Sequence, residues 1–301
     1  MKPLRVSAFP NAKALPLWIA QERDLFIKRA LAVEIDWTES SKAQREGLSS
    51  GNIDIVQSAI DNGLALITSG HDVIIAMGGE AGMNDFIVQS GIDTIDDLKG
   101  RTLVVDSPDT AYALLARKML ARVGLVYNRD YTMQSVGNGS RRLVAMLQSK
   151  DAAGGVLNPP FTAQAKAAGL KSLGRLVDHL GPYQAGGLFV LRGFAESHGD
   201  ALEAFISAYI EALRFARDPA NAQFCINLLR DQLQIDDAIA RETLVEMLDP
   251  AFGFAIDAKL DETGLANVLA TRAETEGVDS RLTDPKTFID EQWYHRALAR
   301  I

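Results

Sequence analysis

A strand–loop–helix unit that recurs through residues 4–70, and then returns once, constrains this chain more than any other feature. Residues 4–9 are a short apolar run ended by Pro10-Asn11. Leu15, Trp18, Ile19, Leu25 and Phe26 then recur near helical spacing, with Pro16 tolerated in the first turn. Residues 33–37 alternate as a strand should, Ser40 and Ser41 supply an N-cap, and residues 53–56 begin a third strand after the Ser50-Gly51 stop. Strands separated by helices of this length pair in parallel through crossovers. The chain therefore reads as open α/β sheet.

The unit returns at Thr102. Residues 102–105 are again an apolar strand, ended by Ser107-Pro108, and Leu114, Leu115, Met119, Leu120 and Val123 mark a helix. Residues 131–136 form the next strand and Gly137-Asn138-Gly139-Ser140 its loop, while Leu143, Met146 and Leu147 line a short helix. Val156-Leu157-Asn158-Pro159-Pro160 closes the copy before a helix over 161–168. Aligned, the copies place Pro10 near Pro108, Ser40 and Ser41 near Gly139 and Ser140, and residues 59–61 near 158–160. This is a repeat of pattern, and it predicts two like lobes.

Residues 72–77 read as another buried strand, 84–89 as an extended crossing, and 188–191, behind Gly186-Gly187, as the return crossing. From Asp200 onward only helices follow. Leu202, Phe205, Ile206, Tyr209, Ile210 and Leu213 make one amphipathic face, and Pro219, Pro250 and Pro285 mark the breaks. These helices need an apolar surface to cover, and the first lobe is the expected one. The expected organisation is lobe one from 1–86 and 188–301, with lobe two, 87–187, inserted into it and both sheets mostly parallel.

A length of 301 residues suffices for two lobes with their own cores. The formal charge of −8 disfavours nucleic acid or an anionic membrane surface as partner. Cys225 is the single cysteine, so no internal disulfide forms, and its apolar helical setting reads as a packed thiol. No run approaches the ~20 apolar residues of a membrane span. Met1-Lys2-Pro3 leads directly into the first strand without a signal peptide. The expectation is a periplasmic or exported protein in its mature form, with a cytoplasmic protein as the alternative.

In open α/β sheets ligands sit outside the carboxyl ends of the strands. Those ends are Phe9, Asn11 and Ala12, then Ser40 and Ser41, then Ser58, Ala59 and Asp61. In the second copy they are Ser107, Asp109, Thr110 and Ala111, then Gly139 and Ser140, then Asn158, Pro159 and Phe161. Each precedes a helix, so unpaired N–H groups favour a small anion there. Ser40, Ser107 and Ser140 read equally as plain caps. Asn11 and Asn158 fall at equivalent points of the two copies, although an Asn at a loop apex also serves the turn itself.

Phe9, Phe161, Tyr112 and Tyr183 read either as walls for a ring or as lobe core, with Phe9 and Phe161 better placed as walls. Asp61 and Asp109 conflict with a bound anion, because carboxylates beside it cost several kcal/mol in a poorly solvated cleft. Either they face solvent, or the ligand carries an amino or cationic group. Arg141 and Arg142 open a helix, where a solvated face is the favoured reading over a bidentate clamp on the ligand. His71, His179, His198 and His295 lie outside the strand-end loops, and no HExxH, CxxC or GxSxG occurs. No catalytic constellation, cofactor or metal is expected.

Phe9-Pro10-Asn11 before Leu15-Pro16-Leu17-Trp18-Ile19-Ala20, then Leu25-Phe26 and Val33-Glu34-Ile35, resembles the opening of the nitrate, sulfonate and taurine binding components of ABC transporters. Binding proteins for thiamine pyrimidine precursors open similarly. Leu48-Ser49-Ser50-Gly51-Asn52-Ile53-Asp54, then Ile95-Asp96-Asp97-Leu98-Lys99-Gly100 ahead of Arg101-Thr102-Leu103-Val104-Val105, continue the likeness, and it extends to Tyr294-His295-Arg296-Ala297-Leu298. The resemblance implies a type II periplasmic binding protein-like fold. It also implies a monomeric solute-binding component of an ABC importer, closing on a sulfonate, carboxylate or pyrimidine-like ligand and serving an ABC permease. The alternative is a cytoplasmic enzyme of the same fold, a decarboxylase or dehydratase acting on a small organic acid. Related desulfinases use a cysteine nucleophile and related pyrimidine synthases a cysteine-rich run, and this chain has neither. Two departures stand out: Asp24 replaces the family's usual Gly, and Asp106-Ser107-Pro108-Asp109-Thr110 replaces the Gly/Ser-rich turn that often meets the anion.

Overall fold

Alternating apolar strands and one-sided helices sort the chain into two five-stranded sheets. The computed structural model describes residues 3–301, so the Met1-Lys2 part of the N-terminal reading lies outside the described residues. Lobe one opens with β1 (Leu4–Ala8), α1 (Leu15–Glu22), β2 (Val33–Trp37), α2 (Ser41–Ser49), β3 (Ile55–Ala59), α3 (Ile60–Thr68) and β4 (Val73–Met77). Lobe two follows as β5 (Asp85–Val88), β6 (Thr102–Val105), α4 (Ala111–Ala121), β7 (Thr132–Ser135), α5 (Gly139–Gln148), β8 (Ala152–Leu157), α6 (Phe161–Ala167), β9 (Lys171–Arg175) and α7 (Leu176–Leu180). The chain then returns through β10 (Gly186–Leu191). The helical third is α8 (Arg192–Ser197), α9 (Gly199–Arg217), α10 (Ala222–Leu233), α11 (Asp237–Leu248), α12 (Glu262–Glu276) and α13 (Gln292–Leu298).

Sheet one has the order β2-β1-β3-β10-β4 and sheet two the order β7-β6-β8-β5-β9. Within each, the βαβ units pair in parallel, as between Val6 and Ile35 or Leu103 and Met133. The crossing strands run against them. β10 lies antiparallel between β3 and β4, and β5 lies antiparallel between β8 and β9. Each sheet thus has four strands in one direction and one reversed. The boundaries expected at 86/87 and 187/188 each cut one of these strands, because β5 pairs from Asp85 and β10 from Gly186. That pairing depends on partners far away in sequence, which local periodicity does not show. β9 went unpredicted for a related reason: Ser172 and Gly174 break its apolar alternation, and it is only half-buried at the sheet edge.

The crossings touch each other and are stitched together. The Glu80 carbonyl accepts from the Ala185 and Gly186 amides, and Ala255 N donates to Gly79 O at 2.8 Å. A Cβ on Gly79 would come within 2.9 Å of the Gly186 backbone, so close approach requires glycine there.

The predicted face of α9 is buried, and Phe205 stacks on Phe26 with ring centroids 5.4 Å apart. With α1, α10 and α13 it covers lobe one. The expectation that the whole helical third covers that lobe needs correcting. α11 packs on α6 and α12 on α4, both in lobe two. α12 also reaches lobe one, where Arg272 meets Asp61 of α3. Two single residues complete the picture. Asp24 sits at φ 56°, a left-handed position that favours Gly. Cys225 is fully buried, and burial pushes its thiol up to about 11, as a packed thiol requires.

Candidate functional site

The carboxyl ends of β1, β3 and β6 and the N-termini of α2, α4 and α5 meet in a cavity of about 60 Å³ between the lobes. Lobe one lines it with Phe9, Asn11, Lys13, Ser41, Gln57, Ser58, Ala59 and Asn62. Lobe two contributes Asp106, Thr110, Ala111, Tyr112, Asn138, Gly139, Arg142 and Asn158, and the crossings contribute Glu80 and Gly186. Drug-sized sites span ~300–1,000 Å³, so this one suits a compact ligand.

Four charged side chains line the cavity. Lys13 Nζ donates to Glu80 Oε1 at 2.5 Å, to the Tyr112 hydroxyl at 2.8 Å and to Asn84 Oδ1 at 3.2 Å. Burial pushes its ammonium down, but Glu80 and Tyr112 outweigh burial and hold it above its ordinary value. Lys13 and Glu80 therefore satisfy each other. Asp106 Oδ2 accepts the Ser41 amide at 2.9 Å, a bond that crosses from lobe two to the N-terminus of α2. Asn62 Nδ2 supports that helix end from below, within 3.3 Å of Ser41 Oγ and 3.4 Å of Ser58 Oγ.

Arg142 is different. It is buried in the first turn of α5, and its Nη1 donates to the Gly137 carbonyl at 3.3 Å. Its guanidinium lies 5.4 Å from the Tyr112 ring centroid, and its Nε is buried without any partner. Burial lowers its pKa, opposed by Tyr112 and Asp106. Among the described residues no carboxylate pairs with it.

Of the strand-end residues expected at a site, the structure brings Phe9, Asn11, Ser41, Ser58, Ala59, Thr110, Ala111, Gly139 and Asn158 to this cavity. Asn11 also caps its own turn, accepting from Lys13 N at 2.9 Å, and Asn158 Nδ2 donates to Pro159 O at 3.1 Å. The others lie elsewhere. Ala12 is buried within the turn, and its amide donates across the lobes to Pro159 O at 3.3 Å, leaving neither residue on the cavity wall. Ser40 serves as the cap of α2, accepting from Ala43 N at 3.1 Å. Ser140 is exposed because Asn138, rather than a serine, caps α5. Ser107 donates to Asp109, which pairs with Arg45 of the other lobe at 3.0 Å on the rim.

Phe161 packs beneath α5, where a Cβ on Gly139 would meet its ring within 2.5 Å. Tyr183 is buried in the core beside the second crossing. Asp61 turns away to Arg272, whose Nη1 lies 2.8 Å from Oδ1. Burial pushes the Asp61 carboxyl up, and Arg272 opposes the shift. The preference for a solvated Arg142 is also overturned. It shares the buried face of α5 with Leu143 and Met146, a spacing readable in the sequence. Arg141, one residue earlier, does face outward and pairs with Glu39 across the rim.

No curated protein matches the sequence. The NMT1-like family matches residues 1–230, which is most of the chain. The chain belongs to the NMT1-like family. Similar solved structures include a protein from Bordetella bronchiseptica RB50, 21% identical, with a TM-score of 0.87 over 100% of this NMT1-like chain and 98% of that one. The periplasmic nitrate-binding protein NrtA from Synechocystis PCC 6803 is 14% identical, with a TM-score of 0.81 over 100% and 89% of the two chains. The alkanesulfonate-binding protein SsuA from Xanthomonas axonopodis pv. citri, bound to MOPS, is 18% identical, with a TM-score of 0.77 over 96% and 98%. These likenesses establish a shared periplasmic binding protein fold. Among the described residues no helix is long and apolar enough to cross a membrane.

Proposed function

We propose that this protein is the solute-binding component of an ABC importer, which closes two lobes on a small organic ligand and delivers it to a membrane permease. It works as a monomer outside the cytoplasmic membrane, and binding with closure is its whole activity. Arg142 carries the reading: a buried cation paired with no carboxylate among the described residues, in a cavity that both lobes line, is furnished for a partner from outside. The bonds from the Ser41 amide to Asp106 and from Arg45 to Asp109 support it, since both form only when the lobes are together. A ligand touching both lobes binds that closed arrangement better and shifts the population toward it.

The test combines small-angle scattering with native mass spectrometry on protein exposed to fractionated cell extract. The expected result is compaction in the fractions that bind, with the ligand released unaltered. A decarboxylated or dehydrated product would overturn the reading in favour of the enzyme. In the same assay Asn158→Ala should weaken binding by about 1–3 kcal/mol, the worth of a buried hydrogen bond.

A further inference from the structure

Resting on the solute-binding reading, we propose that the ligand is a zwitterion whose acid group meets Arg142 and whose protonated amine meets Asp106. Lys13 and Glu80 pair at 2.5 Å and cancel, leaving Arg142 and Asp106 as the cavity's two charges outside an ion pair. They do not pair with each other, so the space between them is left for a ligand's two ends.

Other ligand classes fit less well. A plain anion would satisfy Arg142 but bring a second negative charge toward Asp106 in a site with little water to screen it. A plain cation reverses the problem at Arg142. A neutral ligand leaves a buried guanidinium without a paired counter-charge. The acid group is also steered to one side. The N-terminus of α2 would attract it, but the Ser41 amide already donates to Asp106 Oδ2. The first turns of α3, α4 and α5 remain, and of these only that of α5 brings a cation, Arg142, to the cavity. Only one Asp106 oxygen has a protein partner among the described residues, which leaves the other for a donor on the ligand.

The experiment is calorimetry at pH 7.5 with matched probes: 3-aminopropanoate, propanoate and propylamine, then 2-aminoethanesulfonate and ethanesulfonate. At least one zwitterion should bind about tenfold or more tighter than its deaminated acid, the effect of one charge-assisted hydrogen bond. Asp106→Asn should reduce that ratio to about threefold or less, while Arg142→Met, checked for folding by its melting temperature, should weaken both probes by about tenfold or more. A deaminated acid that binds as tightly as its aminated partner overturns the assignment and leaves solute binding intact. Asp106→Asn weakening both probes alike also overturns it, since that is the signature of a residue that only holds the lobes together. Failure of all five probes overturns it as well, and scattering on extract fractions then judges solute binding separately.

Discussion

Arg272 on α12 donates to Asp61 at 2.8 Å and to Glu276 at 2.7 Å, whereas Arg142 on α5 donates to one backbone carbonyl at 3.3 Å. Their burial is alike, at 7% and 4% exposed, so exposure does not explain the difference. Removing a guanidinium from water costs several kcal/mol, and a fold ordinarily offsets this with a carboxylate. Around Arg272 the chain supplies two. Around Arg142 it supplies a ring face and a carbonyl. The first arginine is part of what holds the molecule together, and the second, on the proposed function, is a cost the fold carries for a ligand.

Substitution should separate the two. Arg272→Met leaves Asp61 buried without its cation and should lower stability by about 3–5 kcal/mol in urea unfolding. A loss below about 1 kcal/mol would end the comparison. Arg142→Met should move the other way, leaving the unliganded protein at least as stable while ligand affinity falls by about 1.5–3 kcal/mol. If both variants unfold alike, Arg142 is structural too.

A third site lies between these extremes. Lys166 sits 2.8 Å from Asp85, with Glu246 of α11 close by and in contact with Thr162 at 3.3 Å. One cation serves two carboxylates. Burial and then Asp85 push the Glu246 carboxyl up to about 7. Unfolded, it titrates near ~4.3, so between these values the folded chain holds a proton that the unfolded chain lacks. Stability from this group is therefore full at the acid end and declines as pH rises to about 7, then levels off. Glu246→Gln should flatten that decline and raise stability at pH 8 by about 1 kcal/mol, allowing for partial solvent screening. A pH profile identical to wild type would contradict it. The smallest effect belongs to Arg141 and Glu39, an exposed pair on the rim. Glu39→Gln should change stability by less than about 1 kcal/mol and lose even that in 1 M salt.

How far the sequence could be read follows from the same contrast between local and distant causes. β1, β3 and β6 were legible because their apolar runs and the helices after them carry their own signals. β5 and β10 were read only as crossings, since nothing within either segment says that it will lie reversed inside a sheet. Asn11, Ser41, Thr110 and Asn158 were legible as strand-end residues, and the cavity includes them. Lys13 and Glu80 were not, because each is held in place by the other across the fold. Asp61 shows the opposite error. Its position at a strand end was right, but an arginine from the last third of the chain turns its side chain away.

α12 changes what motions are open to the lobes. It grips α3 through Arg272 and α4 through the Lys118–Glu274 pair at 3.1 Å, and it lies along the second crossing, where Asn267 donates to Pro182 O at 2.7 Å. Besides the two covalent spans, the lobes are therefore joined by α12 and by the packing of α11 on α6. For the proposed closing motion, these helices must either travel with one lobe or part from the other as the cleft opens.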